Sequence, residues 1–493
     1  MIDTKALRQK ILDMAIRGKL VPQDPNDEPA SVLLERIREE KQRLIKEGKI
    51  KKDKNDSVIF KGDDNRYYEK VGGEVKDITD DLPFEIPDSW SLVRLSSVCW
   101  LTDAPKITGE KLPYLDAKTL RGKVNTTLLF DGKVVNAGTK VILVDGENSG
   151  EVFEIPFRGY MGSTFKVLEI VSQFNTDYLN IVLEYYQKSL RENKTGSAIP
   201  HLNKKLFKSL LIGVPSLYEQ LRITDRINEL FKQIDIIEQN QADISTLYDE
   251  FRKRTLTLAI QGKLVPQDEN DEPANVLLER IRAEKKAKLG KKYVDSYIYK
   301  GDDNCYYEKI KDSVKEISAE IPFDIPESWR WIRIDNLFQH NTGKALNSSN
   351  TQGILHPYIT TSNVYWGYFN LECIKKMFFT EDEFAKCSIV PGDLLVCEGG
   401  DVGRAAIWEN DISMCIQNHI HRLRAYYPVC TQFYYFAFFV YKSIGLIGGK
   451  GIGIQGLSSG ALGKLIFSLP PLGEQERIVK QVEIILENLK DEG

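Results

Sequence analysis

The sequence predicts an α+β chain: two globular α/β domains separated by two long antiparallel helical arms in a coiled coil, with a pseudo-twofold internal duplication and circularly permuted termini. Three observations predict it. Residues 18–41, GKLVPQDPNDEPASVLLERIREEK, return at 262–285 as GKLVPQDENDEPANVLLERIRAEK, identical at 21 of 24 positions. The blocks beyond each copy diverge after a short shared opening, yet each is long enough for its own core. Between them runs an apolar seam in steps of three and four, the mark of a long helix that must cover one stripe.

Each element follows in order. Residues 1–82 form an N-terminal repeated region, the end of the split second arm plus a docking segment. Its first twenty residues are charged and periodic and lack the apolar core and cleavage site of a signal peptide. KGDDNRYYEK at 61–70 returns as KGDDNCYYEK at 300–309, and PFEIPDSWSLVRL at 83–95 as PFDIPESWRWIRI at 322–334. The first divergent domain is 83–217. The central repeated region, 218–321, opens with the seam: Ile223, Ile227, Leu230, Ile234, Ile237, Ile244, Tyr248, Phe251 and Leu258, broken by Gln241 and Thr255. At ~1.5 Å per residue it spans roughly 60 Å. The second divergent domain is 322–472, and its FYYFAFFV (433–440) is too short to cross a membrane and reads as a buried helix or strand.

The C-terminal helix, 473–493, repeats the start of the seam as Ile478, Val482, Ile485 and Leu489, while Leu7 and Met14 match Phe251 and Leu258. The second arm is therefore assembled from both chain ends. Near-identity also covers polar loop residues such as Gln23, Asp24, Gly62 and Asp63. Packing alone does not ask for these, and two equivalent surfaces for two copies of one partner would.

Composition sets the bounds. Hydrophobic residues make up 42% and charged residues 28%, as in a soluble globular protein. The net charge of −4 does not announce a nucleic-acid binder, so any such case rests on local charge. The seven cysteines are scattered without a CxxC pair, which signals neither zinc nor a disulfide framework and fits a cytoplasmic location. GIGIQG at 451–456 matches G-x-G-x-x-G formally but opens no helix of a βαβ unit. Neither a P-loop nor the Asn-Pro-Pro-aromatic string of an amino-methyltransferase occurs. His419 and His421 could offer metal nitrogens or DNA contacts, and their alternation favours one shared face. Asp63/Asp64 and Asp302/Asp303 could hold magnesium but suit a turn better.

PxxW opens each divergent domain, at Pro87–Trp90 and Pro326–Trp329, and PPLxEQxRI closes it, at Pro470–Ile478 and Pro215–Ile223, the latter with Ser216 for the second proline. On these residues the layout resembles the specificity subunit of type I restriction–modification enzymes. Gly392, Asp393, Leu394, Gly400 and Gly403 match the family's GDxL…G…G; the first domain keeps Gly138, Gly146 and Gly150, with Thr139 for the aspartate. The resemblance implies a non-catalytic reader of double-stranded DNA. Each target-recognition domain would read half of an asymmetric bipartite site. Two methyltransferase (modification) subunits and translocase–nuclease (restriction) subunits would be the partners, with no membrane. No cofactor is expected on this chain: S-adenosylmethionine, ATP and magnesium would sit on the partners. The alternative is a scaffold that binds no DNA and holds two copies of one partner.

Candidate DNA contacts follow from donor chemistry. In the first domain they are Lys118, Arg121 and Lys123 in DAKTLRGK, and Lys194, His201, Asn203, Lys204 and Lys205 in the basic stretch 191–208. In the second they are Thr361, Ser362, Asn363, Tyr365, Arg404, Gln417, Asn418 and His421, with Lys450, Gln455, Ser458 and Ser459 in the equivalent loop. Asn and Gln pair bidentately with adenine, Arg with guanine, and Lys neutralises phosphate.

Overall fold

A computed structural model describes residues 1–51, 56–123, 127–193, 201–347, 349, 351–448 and 457–491. The chain divides into two compact units, Met1–Ala242 and Asp243–Gly493. The helices in chain order are α1 (Thr4–Ile16), α2 (Ala30–Lys46), α3 (Ala117–Leu120), α4 (Thr176–Glu192), α5 (Lys204–Ser209), α6 (Leu217–Ile260), α7 (Ala274–Leu289), α8 (Ile334–Leu337), α9 (Glu381–Cys387), α10 (Thr431–Ser443), α11 (Ser459–Gly463) and α12 (Leu472–Asp491).

The long helix is present as one 44-residue element, α6. In the first unit α1 lies antiparallel to its start. Ile16 shares a core with Ile223 and Ile227, Arg8 reaches Asp235 (2.5 Å), and Gln241 donates to the Ile2 carbonyl (3.3 Å). In the second unit α12 runs antiparallel to its end. Ile478 and Val482 join Ile260, and Leu489 lies beside Ile244, Leu247 and Phe251. Thus α1 does in one unit what the end of α6 does in the other, and α12 does what the start of α6 does. That exchange is the circular permutation.

The seam itself departs from its expected register. Ile223, Ile227 and Ile234 are buried, but the far end buries Thr255, Leu256, Ala259 and Ile260, while Phe251 is 45% exposed. A straight helix drifts ~20° per heptad against a 3.5 repeat, so ten turns from Ile223 lead to Ala259, one residue past Leu258. From 235 to 254 no α6 residue is buried.

The duplicated loops are wired inside the chain. Gly18 follows α1 at φ +65°, and a Cβ there would meet Pro87 Cγ at 2.4 Å; Gly262 at φ +70° meets Pro326 Cγ at 2.5 Å. Gln23 Nε2 donates to Glu219 (2.5 Å), which also accepts from Trp90 Nε1 (3.0 Å). The second copy repeats this as Gln267 and Trp329 (2.8 Å) on Glu474. Burial pushes both glutamates above the ordinary carboxylate range, opposed by these hydrogen bonds. Asp27 receives Arg222 through two bonds (3.1 and 2.6 Å), and Asp271 receives Arg477 likewise (2.9 and 2.6 Å). Asp24 binds the Asn26 amide (2.9 Å). The polar loop residues expected to be kept for a partner are therefore largely committed to the chain's own fold, and only Asp63 of the four stands free at the surface.

GDDN is a turn in both copies. Asp64 accepts from Arg66 N (3.1 Å) and Tyr68 OH (2.7 Å), Asn65 sits at φ +63°, and Asp303 and Asn304 repeat the pattern. The turn closes a three-stranded antiparallel meander, 57–61, 67–71 and 74–77, copied at 296–300, 306–310 and 313–316.

Each divergent domain is pinned at its base, because its first and last strands pair with each other. Val93 faces Ile212 in one and Ile332 faces Phe467 in the other. Arg94 clamps Glu69 bidentately (2.9 and 2.6 Å), as Arg333 clamps Glu308 (3.1 and 2.8 Å). Between these ends the sequences share little, yet both domains build a four-stranded sheet of the same connectivity. Its strands in spatial order are 99–102, 165–170, 140–143 and 152–154 in the first, and 338–342, 420–425, 394–397 and 405–407 in the second. The string 433–440 lies in α10, buried against α12.

Candidate nucleic-acid interface

In the first domain, Asp116 caps α3 by accepting from Thr119 N (2.8 Å), and this short helix presents an exposed Lys118. Gly122 at φ +83° turns the chain to an exposed Lys123. Arg121 is tied down: it pairs with Glu151 and lies 5.8 Å from the Phe153 ring. Asn203 spends its side-chain oxygen capping α5 (Leu206 N, 3.0 Å), and His201 pairs with Asp145 (2.7 Å). Lys204 and Lys205 stand exposed on the first turn of α5 and pair with no described residue. Lys194 lies outside the described residues.

The fold gathers lysines that sequence reading did not connect. Lys204 and Lys208 line a 540 Å³ cleft together with Lys41, Lys49, Lys51 and Lys166. Asp103, at its wall, is held down to about 2 by hydrogen bonds from Lys133 and Lys166. The run KEGKIKK at 46–52 was the one signal that could have pointed there.

In the second domain two candidates leave the contact set. Asn363 is 5% exposed; its oxygen accepts from Thr360 N (2.9 Å) and Oγ1 (2.7 Å), and its amide donates to the Asn370 carbonyl (3.0 Å). His421 is fully buried and does not share a face with exposed His419. Its Nε2 lies 2.6 Å from the Leu457 carbonyl, which can only accept, so Nε2 carries the proton. Nδ1 then accepts from His340 Nε2 at 2.8 Å. Burial and the His421 neighbour push His340 down to about 4, and burial lowers His421, so the pair is neutral and structural.

Thr361, Ser362, Tyr365 and Arg404 lie at a small hairpin of strands Val364–Tyr365 and Tyr368–Phe369. Thr361 gives its carbonyl to Arg404 (2.6 Å), whose guanidinium lies 5.4 Å over the Tyr365 ring. Arg404 is thereby a support for the hairpin rather than a free fork for guanine. Ser362 is exposed, its hydroxyl 2.8 Å from Thr360 Oγ1. Gln417 and Asn418 sit half-buried where their backbone pairs with Ile359 (3.0 Å) and Lys344 (3.0 Å). Ser458 caps α11 (Ala461 N, 3.3 Å) and Ser459 is exposed on its first turn. Lys450 and Gln455, like the GIGIQG string, lie outside the described residues. Asp393 of the GDxL string is buried, binding Arg424 bidentately (2.7 and 2.6 Å) and Val390 N (2.9 Å).

No group of three or more His, Cys, Asp or Glu side chains is placed to hold a metal among the described residues, and no described helix is long and apolar enough to cross a membrane.

Comparison with known proteins returns one family. The model of the type I restriction modification DNA specificity domain matches residues 87–246 and 326–491. Among relatives, the EcoAI specificity subunit of Escherichia coli is 26% identical, over 98% of this chain and 89% of its own. The EcoEI specificity subunit of the same species is 27% identical, over 82% of this chain and 74% of its own. A chain solved in work on complex assembly and conformational transition of the type I R-M system superposes with a TM-score of 0.54 at 17% identity. It covers 83% of this chain and 93% of that one, a likeness of fold.

Proposed function

Because the chain belongs to the type I restriction modification DNA specificity family, we propose that it is the non-catalytic, sequence-reading subunit of such a complex. Each recognition domain reads one half of an asymmetric bipartite site on double-stranded DNA. The duplicated scaffold holds two methyltransferase subunits, and translocase–nuclease subunits join for restriction. S-adenosylmethionine, ATP and magnesium act on those partners.

One observation carries this reading. The bases of the two domains are wired identically, Gln23–Glu219–Trp90 against Gln267–Glu474–Trp329, while the surfaces they carry differ, Lys204 and Lys205 against the Tyr365 hairpin and Ser459. DNA has a symmetric backbone and an asymmetric base sequence. A repeated frame with unlike readers suits two unlike half-sites, where a homodimer would suit a palindrome.

Methylome mapping of a host carrying this chain and its modification subunit tests it. Methylation at two different half-sites separated by a constant gap is expected. A single continuous palindrome overturns the bipartite reading. DNA binding by the complex that is absent or insensitive to salt would favour the scaffold alternative.

A further inference from the structure

We propose that Tyr368, backed by Tyr365 and Arg404, is a stacking platform for an unstacked base of the target DNA; this rests on the DNA-reading function above. Tyr365 and Tyr368 are direct cross-strand partners, so their rings share one face of the hairpin. The rings stack nearly parallel, 4.9 Å apart at 12°. Arg404 closes the Tyr365 side of the stack, and Tyr368, 58% exposed, leaves its outer face to solvent.

The hairpin is built to hold that face still. Its alternate residues point inward: Val364 is fully buried and Phe369 packs edge-on against Trp408 at 5.1 Å. At the turn Trp366 packs against Phe439 (5.2 Å), itself covered by Arg252 at 4.5 Å. Gly367 sits at φ +81°, where a Cβ would meet Tyr435 OH at 2.9 Å, and that hydroxyl accepts from Arg252 (3.3 Å). A two-residue turn anchored by a tryptophan and a required glycine displays two tyrosines that the core does not use.

The chemistry selects a nucleobase. A flat outer ring offers dispersion contact to any heterocycle, and the guanidinium behind the stack, in cation–π contact with Tyr365, adds positive charge for a polyanion. The carboxylate three residues before Arg404, Asp401, is held by Lys442 at 3.1 Å. A protein partner would more simply be met by an apolar patch, and here the exposed surface is two phenols beside a cation.

The test uses the complex of this chain with its modification subunit, on duplexes carrying the methylome-defined site. Affinity is measured by anisotropy at one salt concentration for wild type, Tyr368→Ala, Tyr368→Phe and Tyr368→Leu, with thermal stability as control. In parallel, 2-aminopurine is placed at successive positions of both half-sites. Base stacking on an aromatic ring corresponds to about a 5- to 140-fold loss of affinity in Tyr368→Ala. Tyr368→Phe should bind as wild type and Tyr368→Leu should not, because only a ring stacks. The 2-aminopurine signal should change in Tyr368→Ala at positions confined to one half-site. Wild-type affinity in Tyr368→Ala overturns the proposal, and so does full rescue by leucine. If the wild-type complex recognises no bipartite site, the DNA-reading function itself falls and this proposal with it.

Discussion

Alanine at Gly18 should loosen the first unit far more than alanine at Gly48. Both glycines end helices in the left-handed region, at φ +65° and +70°. An alanine in that region costs about 1–2 kcal/mol at either position. Around Gly48 nothing lies within 4 Å of an added methyl. At Gly18 the methyl would fall 2.4 Å from Pro87 Cγ, 2.8 Å from Pro87 Cδ and 3.0 Å from Trp90 Cζ2. A proline ring has little room to move, and Trp90 is 5% exposed and hydrogen-bonded to Glu219. Forcing a methyl into packed surroundings adds about 1–3 kcal/mol. Gly18→Ala should therefore cost about 2–5 kcal/mol in all. A chain of two units need not unfold in one step, so the assay is hydrogen exchange of the slowest amides of residues 1–242, read peptide by peptide. The clash alone should lower their protection about 5- to 140-fold in Gly18→Ala relative to Gly48→Ala. Equal protection in the two variants would refute the account of why GKLVPQD carries its glycine.

Three further outcomes follow from the same geometry. Glu474 and Glu219 are raised by burial, so the folded state holds their protons more tightly than the unfolded chain, and stability is lost as pH rises from the ordinary carboxylate value through the raised one. The stability of Glu474→Gln relative to wild type should thus climb with pH across that window, read from hydrogen exchange of the slowest amides of residues 243–493, and a flat or falling difference would refute it. Asp393→Ala strands Arg424, whose side chain keeps 33% exposure, and should cost about 3 kcal/mol, the low end for a broken buried pair, by hydrogen exchange of the slowest amides of residues 243–493. Lys204→Ala and Lys205→Ala should each flatten the slope of log K against log salt for DNA binding by the complex by about 0.9 if each meets a phosphate; an unchanged slope removes them from the interface.

The legibility of the candidate site was uneven, for reasons visible in single residues. Lys118, Lys123, Lys204 and Lys205 are exposed where a basic, polar string suggested surface. Asn363 and His421 have the right groups for bases, but those groups are taken: Asn363 accepts from Thr360 and donates to Asn370, and His421 accepts from His340 and donates to the Leu457 carbonyl. A side chain's chemistry is written in the sequence; whether its hydrogen bonds are already taken depends on neighbours up to 81 residues away, as for His340 and His421. Lys41 and Lys204 line one cleft from opposite ends of a unit, and no local pattern joins them.

By itself the sequence determined the duplication and the permuted arms, because identity and heptad spacing are properties of the chain alone. It misplaced the buried face at the far end of α6, since a helix keeps 3.6 residues per turn whatever the seam suggests. Only the tertiary structure decided why the repeated polar residues are repeated. Gln23 and Gln267 each hold a buried glutamate against a tryptophan, a bond that spans nearly the length of a recognition domain and exists only once the two ends of that domain have met.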